Sequence, residues 1–146
     1  MSERIVVGVD GSEGATSAVR WAAREARFRG AKLELITAWQ LPTYPGPFAM
    51  SSISDELVNE LAAEAERRVA DAAEEARAEG GDPDIETRAV EGAPATVLLA
   101  AARVADLLVV GSRGLGGFRE LLLGSVSHQC AHHAPCPVVI VRHRDQ

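Results

Sequence analysis

The chain has 146 residues, 47% of them apolar and 25% charged, with a formal net charge of −6; this length suits a single domain, residues 1–146, able to bury about 68–70% of its unfolded surface. The acidic balance argues against broad nucleic-acid binding. No apolar run approaches the roughly 18–20 residues of a membrane helix, and Arg4 and Asp10 flank a strand-like run where a secretory signal would need a longer apolar stretch, so a soluble cytoplasmic protein is expected, with Cys130 and Cys136 as reduced thiols.

Arg4 to Asp10 reads as a first buried strand, Ile5-Val6-Val7-Gly8-Val9, closed by the turn residues Asp10-Gly11-Ser12. From Glu13 to Arg29, Ala15, Ala18, Val19, Ala22 and Ala26 fall on one helical face, and Gly30 supplies the stop. Leu33 to Trp39 is a second strand. Residues 40–53 hold Pro42, Pro45, Gly46 and Pro47 and form the one long irregular segment. Ser52 or Ser54 then opens a long helix with Leu57, Leu61, Ala65, Val69, Ala72 and Ala76 on its apolar face; its Glu and Arg residues read as a solvated face, and Gly80-Gly81 ends it.

Ile85 to Val90 makes a third, more polar strand suited to a sheet edge, and Pro94 opens a short apolar helix running to about Val104. Asp106 to Val110 is a fourth strand, a helix follows over about Ser125 to His133, and Pro137 to Val141 is a fifth strand. Strict β-α alternation with nearly continuous apolar strands requires a doubly wound α/β fold, a five-stranded parallel sheet with helices on both faces and right-handed crossovers. The order 3-2-1-4-5 would set the turn after the first strand beside the turn after the fourth, where ligands bind in open parallel sheets.

The second of these turns carries the most chemistry. Two residues separate Gly111 from Gly114, and nine separate Gly114 from Gly124, between an apolar strand and a helix start that Ser125 is placed to cap. Glycines admit close approach of an anion to the backbone, and a helix start offers free amides and a positive dipole end. The loop has no lysine and is not a Walker A P-loop; backbone amides must carry most of a phosphate's charge, with Arg113 and Arg119 as added cations and a magnesium ion between Asp10 and phosphate oxygens as a further one. Asp10 equally suits an ordinary turn or cap, and Ser125 a cap alone.

Three segments together resemble the universal stress proteins, specifically the branch with the ATP-binding glycine pattern: Ile5-Val6-Val7-Gly8-Val9-Asp10-Gly11-Ser12, the glycine pattern of 111–125, and His133-Ala134-Pro135-Cys136-Pro137-Val138. The resemblance spans essentially the whole chain. It implies a domain, usually dimeric, that binds an adenine nucleotide, ATP, and acts in stress survival as a sensor or regulator. It implies further that Asp10 addresses the ribose or a metal-phosphate unit, that the main chain at Ala38 faces adenine, and that Gly111 packs near the ribose. Gly114, Gly124, Ser125 and the Val126 amide would surround the phosphates.

Other chemistries fit poorly. Gly124-Ser125-Val126-Ser127 lacks the Gly-x-Ser-x-Gly elbow of a hydrolase. Val90-Glu91-Gly92 and Arg142 do not supply the acidic cluster and lysine of a phospho-receiver. His128 and His132 have metal-chelating spacing, yet histidines at a helix end suit its dipole and exposed carbonyls without a metal. No residue stands out as a base for water, which leaves slow ATP hydrolysis as the enzymatic alternative and an AMP or cyclic AMP binding module as the other. Val138 to Val141 would form an apolar sheet edge, the expected contact of a homodimer.

Overall fold

The computed structural model describes residues 3–43, 46–47, 53–114 and 123–143. Among these, β1 (Arg4–Gly8), α1 (Glu13–Arg29), β2 (Lys32–Trp39), α2 (Asp55–Ala78), β3 (Ile85–Glu91), α3 (Pro94–Ala102), β4 (Leu107–Gly111), α4 (Ser125–His133) and β5 (Val138–Val141) alternate as expected. The five strands form one parallel sheet in the order β3-β2-β1-β4-β5. β1 lies at its centre, with Ile5 opposite Leu33 on one side and Leu107 on the other.

Side chains alternate across the sheet. Ile5, Val7, Leu33, Leu35, Leu107 and Val109 pack with the alanine-rich faces of α1 and α2, while Val6, Ile36, Leu108 and Val110 pack with Leu98, Ala101 and Ala102 of α3 and Cys130 of α4. Small side chains on α1 and α2 let both helices lie close to the branched aliphatic surface beneath them. Cys130 is fully buried, and burial pushes its thiol up to about 11; burial also raises that of Cys136. Both are free cysteines, and Cys130 is held as an unreactive thiol.

Local chemistry sets the element ends. Ser12 Oγ accepts the Ala15 N–H at 3.1 Å, and Gly30, at φ +67°, closes α1 with the Ala31 N–H donating back to the Ala26 carbonyl at 2.8 Å. Of the two serines that suit the start of α2, Ser54 is the cap, accepting from the Leu57 N–H at 3.1 Å; Ser52 lies outside the described residues. α3 stops at Ala102, short of Val104, because Arg103 and Val104 already make the tighter bonds of a turn that feeds β4. β1 stops at Gly8, short of Asp10, although the Val9 N–H still donates to the Ile36 carbonyl at 2.8 Å.

The two ends of the sheet differ in kind. Toward the amino ends of the strands, Glu34 is 3% exposed and its carboxylate accepts from Arg4 Nη1 at 2.5 Å and Arg88 Nη1 at 2.9 Å. Lys32 Nζ lies 3.0 Å from Glu86 and holds that carboxyl below the usual range. The carboxyl ends carry glycine turns instead. Among the described residues no helix is long and apolar enough to cross a membrane.

Candidate functional site

Two turns meet beyond the carboxyl ends of β1 and β4 because glycine removes what would hold them apart. A Cβ on Gly111 would stand 2.8 Å from both the carbonyl carbon and oxygen of Gly14, and one on Gly14 would stand 2.7 Å from the Arg113 carbonyl oxygen. The end of β4 therefore rests backbone to backbone on the first turn of α1. A Cβ on Gly114 would collide with Asp10 Oδ2, so the carboxylate and the glycine loop share one wall. Asp10 is oriented from its other oxygen: Oδ1 accepts from the Ser12 N–H at 2.9 Å and from Ser12 Oγ–H at 2.5 Å.

The α4 side is fixed through one carbonyl. Ser112 C=O accepts from the Gly124 N–H at 2.6 Å and from Ser127 Oγ–H at 2.9 Å, while the Ser112 N–H donates to the Val141 carbonyl. The residue capping α4 is Gly124, not Ser125: Gly124 has extended backbone, its carbonyl accepts the His128 N–H at 3.0 Å, and among the described residues no side chain caps the helix. Ser125 is the first helical residue, with its hydroxyl 3.2 Å from Gln129 Nε2. The shift has a packing reason, since a Cβ on Gly124 would lie 3.3 Å from Arg113 Cα. It leaves the first-turn amides of α4 without a side-chain cap among the described residues, the arrangement that attracts anions.

These walls enclose a cavity of about 520 Å³. Asp10, Ser12, Ala38 and Gly111 line it, as do Arg113 and Gly114 and the α4 start at Gly124, Ser125 and Val126. Gly11, at φ +85°, lines instead an adjoining cleft of about 200 Å³ between α1 and α2. Arg119 lies outside the described residues. The cavity has two characters: Ile36, Ala38, Pro94 and Leu98 make an apolar side, and the glycines with the α4 start make an amide-rich side. Trp21 packs against the core beneath α1 and α2, while Trp39 sits half-buried at the end of β2.

Several lining residues carry no motif. Ile36, Pro94 and Leu98 are apolar positions of ordinary elements, and Ser127 tethers the loop. Arg68 of α2 lines both cavities; in the sequence it is one of many charged residues on a solvated helix. His128 and His132 stand with ring centroids 4.5 Å apart on α4, and the described residues hold no group of three histidine, cysteine or acidic side chains placed for a metal. Asp10 is the carboxylate that lines the large cavity among the described residues.

Residues 1–142 match the model of the universal stress protein family. A universal stress protein of Mycobacterium tuberculosis is 36% identical over 138 residues, covering 94% of this chain and 47% of the relative, so the chain spans about half the length of that protein. A universal stress protein solved in complex with cAMP is 34% identical with a TM-score of 0.72, covering 97% of each chain. The Archaeoglobus fulgidus universal stress protein solved in complex with dAMP is 26% identical with a TM-score of 0.67, covering 95% of this chain and 97% of its own. By the match along nearly its whole length and by its sheet order, this chain belongs to the universal stress protein family.

Proposed function

We propose that the crevice between the turns after β1 and β4 binds an adenine nucleotide, ATP in particular, and that the domain acts as a nucleotide-dependent regulator in the response to stress. The observation that carries this reading is the cavity of about 520 Å³ in which Asp10, Gly114 and the glycine-capped start of α4 meet. Its volume falls within the range of about 300–1,000 Å³ of small-molecule sites. Its apolar side at Ile36, Ala38 and Leu98 suits a base, and its amide side suits phosphates. The cAMP and dAMP complexes of related proteins support an adenine nucleotide.

The residues fit ATP by donor chemistry. Gly114, Gly124, Ser125 and Val126 would hold phosphate oxygens through main-chain N–H groups, Asp10 and Gly111 would lie at the ribose or the metal-phosphate unit, and the Ala38 main chain would face adenine. Magnesium is commonly bound by one or two carboxylates with substrate phosphates completing its shell; Asp10 supplies one carboxylate, and the ion would add positive charge at the phosphates. Ser12 holds Asp10 Oδ1, so Oδ2 is the oxygen that would address the ribose or the metal-phosphate unit. A second reading, a site for AMP or cyclic AMP, is favoured by the ligands of the two solved relatives, each of which carries one phosphate.

Thermal unfolding with ATP, ADP, AMP, cyclic AMP and GTP, with and without magnesium, separates the readings. A ligand at a hundred times its dissociation constant adds about 2.7 kcal/mol, a rise of roughly 5–10 °C in a domain near this size. The largest rise is expected with ATP and magnesium. A larger rise with AMP or cyclic AMP would establish the second reading, and no rise with any nucleotide, from protein shown to carry none, would overturn both.

We propose also that the domain forms a homodimer through β5, whose four residues Val138–Val141 are all half-buried at a sheet edge. Sedimentation at micromolar concentration should give a dimer that Val139→Pro converts to monomer; a monomeric wild-type protein would refute the assignment.

A further inference from the structure

Arg68 lies in the fourth turn of α2, within its charged middle, yet its side chain reaches the crevice. It lines the large cavity from the side opposite α4 and the adjoining cleft as well. Its guanidinium covers the turn after β1: a Cβ on Gly11 would lie 3.2 Å from Arg68 Nε. Gly11 directly follows Asp10, and Asp10 Oδ2 abuts Gly114. The arginine therefore stands over the Asp10 turn, whose carboxylate abuts the glycine loop at Gly114.

Its restraints are light. Among the described residues its ion pair is with Glu64, Nε to Oε1 at 3.4 Å, while the same carboxylate is held at 2.6 Å by Arg67. The Arg68 side chain is 38% exposed, so reorienting it breaks little. Charge supplies the rest of the argument. Among the described lining residues, Asp10 and Arg113 cancel, and Arg68 is what gives the crevice a net positive side-chain charge. A polyphosphate carries several negative charges, and a guanidinium presents paired N–H donors matched to its oxygens.

We infer that Arg68 is a phosphate-binding residue of this site, delivered by α2 across the Asp10 turn in place of the lysine that the glycine loop lacks. The inference rests on the proposed nucleotide reading and deepens it. It makes the number of phosphates on the ligand a quantity that α2 reads: the contact contributes more to ATP than to AMP and nothing to adenosine. It also ties ligand occupancy to the position of α2, the helix that leads out of residues 40–53.

The test is calorimetric titration of adenosine, AMP and ATP into wild type, Arg68→Gln, Arg68→Lys and Gly114→Val at two salt concentrations. Arg68→Gln is expected to weaken ATP about tenfold or more, a normal loss for one charge-assisted contact, to weaken AMP less, and to leave adenosine and the melting temperature of the empty protein unchanged. Arg68→Lys should recover part of the ATP affinity, and the salt dependence of ATP binding should fall in Arg68→Gln. Equal ATP affinity in wild type and Arg68→Gln, with Gly114→Val inactive, would overturn the inference while leaving the nucleotide reading intact. An equal loss for adenosine and ATP would also overturn it, moving Arg68 to the base or ribose. Absence of nucleotide binding by wild type would overturn the nucleotide reading and the inference together.

Discussion

Replacing Gly111 by alanine is expected to lower the unfolding free energy by about 2–3 kcal/mol, a fall of roughly 4–12 °C in the midpoint. The added Cβ meets the carbonyl carbon and oxygen of Gly14 at 2.8 Å and the Ala15 nitrogen at 3.2 Å. All three are backbone atoms of a helix, so no rotamer change relieves the overlap, and β4 and α1 must move apart along a contact shared with both cores. Gly14→Ala is the instructive control. Its Cβ meets the Arg113 carbonyl at 2.7 Å, but alanine in a helix is favoured over glycine by about 1 kcal/mol, and Arg113 belongs to a loop and not a helix. The loss should therefore be smaller at Gly14 than at Gly111. Urea unfolding of the two variants checks the order; a Gly111→Ala protein within about 0.5 kcal/mol of wild type would show that strand and helix separate freely.

Gly114→Val should act on the site and spare the fold. Its Cβ would press on Asp10 Oδ2, a side-chain atom that can rotate away, so the midpoint of the empty protein should stay within a few degrees. Nucleotide affinity should fall by about a hundredfold, close to 2.8 kcal/mol, because the valine displaces the Asp10 carboxylate and stands between a phosphate and the loop amides. Titration of ATP into the folded variant measures this. Retained affinity would place the ligand elsewhere on the molecule.

The doubly wound parallel sheet was legible because continuous apolar runs alternate with amphipathic helices, whereas its order, β3-β2-β1-β4-β5, was anticipated only as the one that brings the two ligand-facing turns together. The bounds of α1 were legible since Ser12 and Gly30 are strong end signals; the start of α4 was not, because a glycine cap and a serine cap one residue later look alike until the loop packs on Gly124. Asp10 and the loop glycines were visible because their chemistry is unusual at strand ends. Gly14 was not, since a glycine in a first helical turn resembles a weak propensity choice until Gly111 is placed against it. Arg68 was hidden for a rotational reason. It neighbours Arg67 in sequence, and only the roughly 100° step of the helix sends one arginine to solvent and the other over Gly11.

The central position of β1 has a consequence for how the protein is made. Its partner β4 is translated about a hundred residues later, which at about 5–20 residues per second is roughly 5–20 seconds of synthesis. During that interval one flank of the first strand has no native neighbour, and the wall formed by Gly111, Gly114 and Gly124 does not yet exist. A small molecule held between those walls can select only chains that extend past Gly124, so its stabilising effect is withheld from every shorter one.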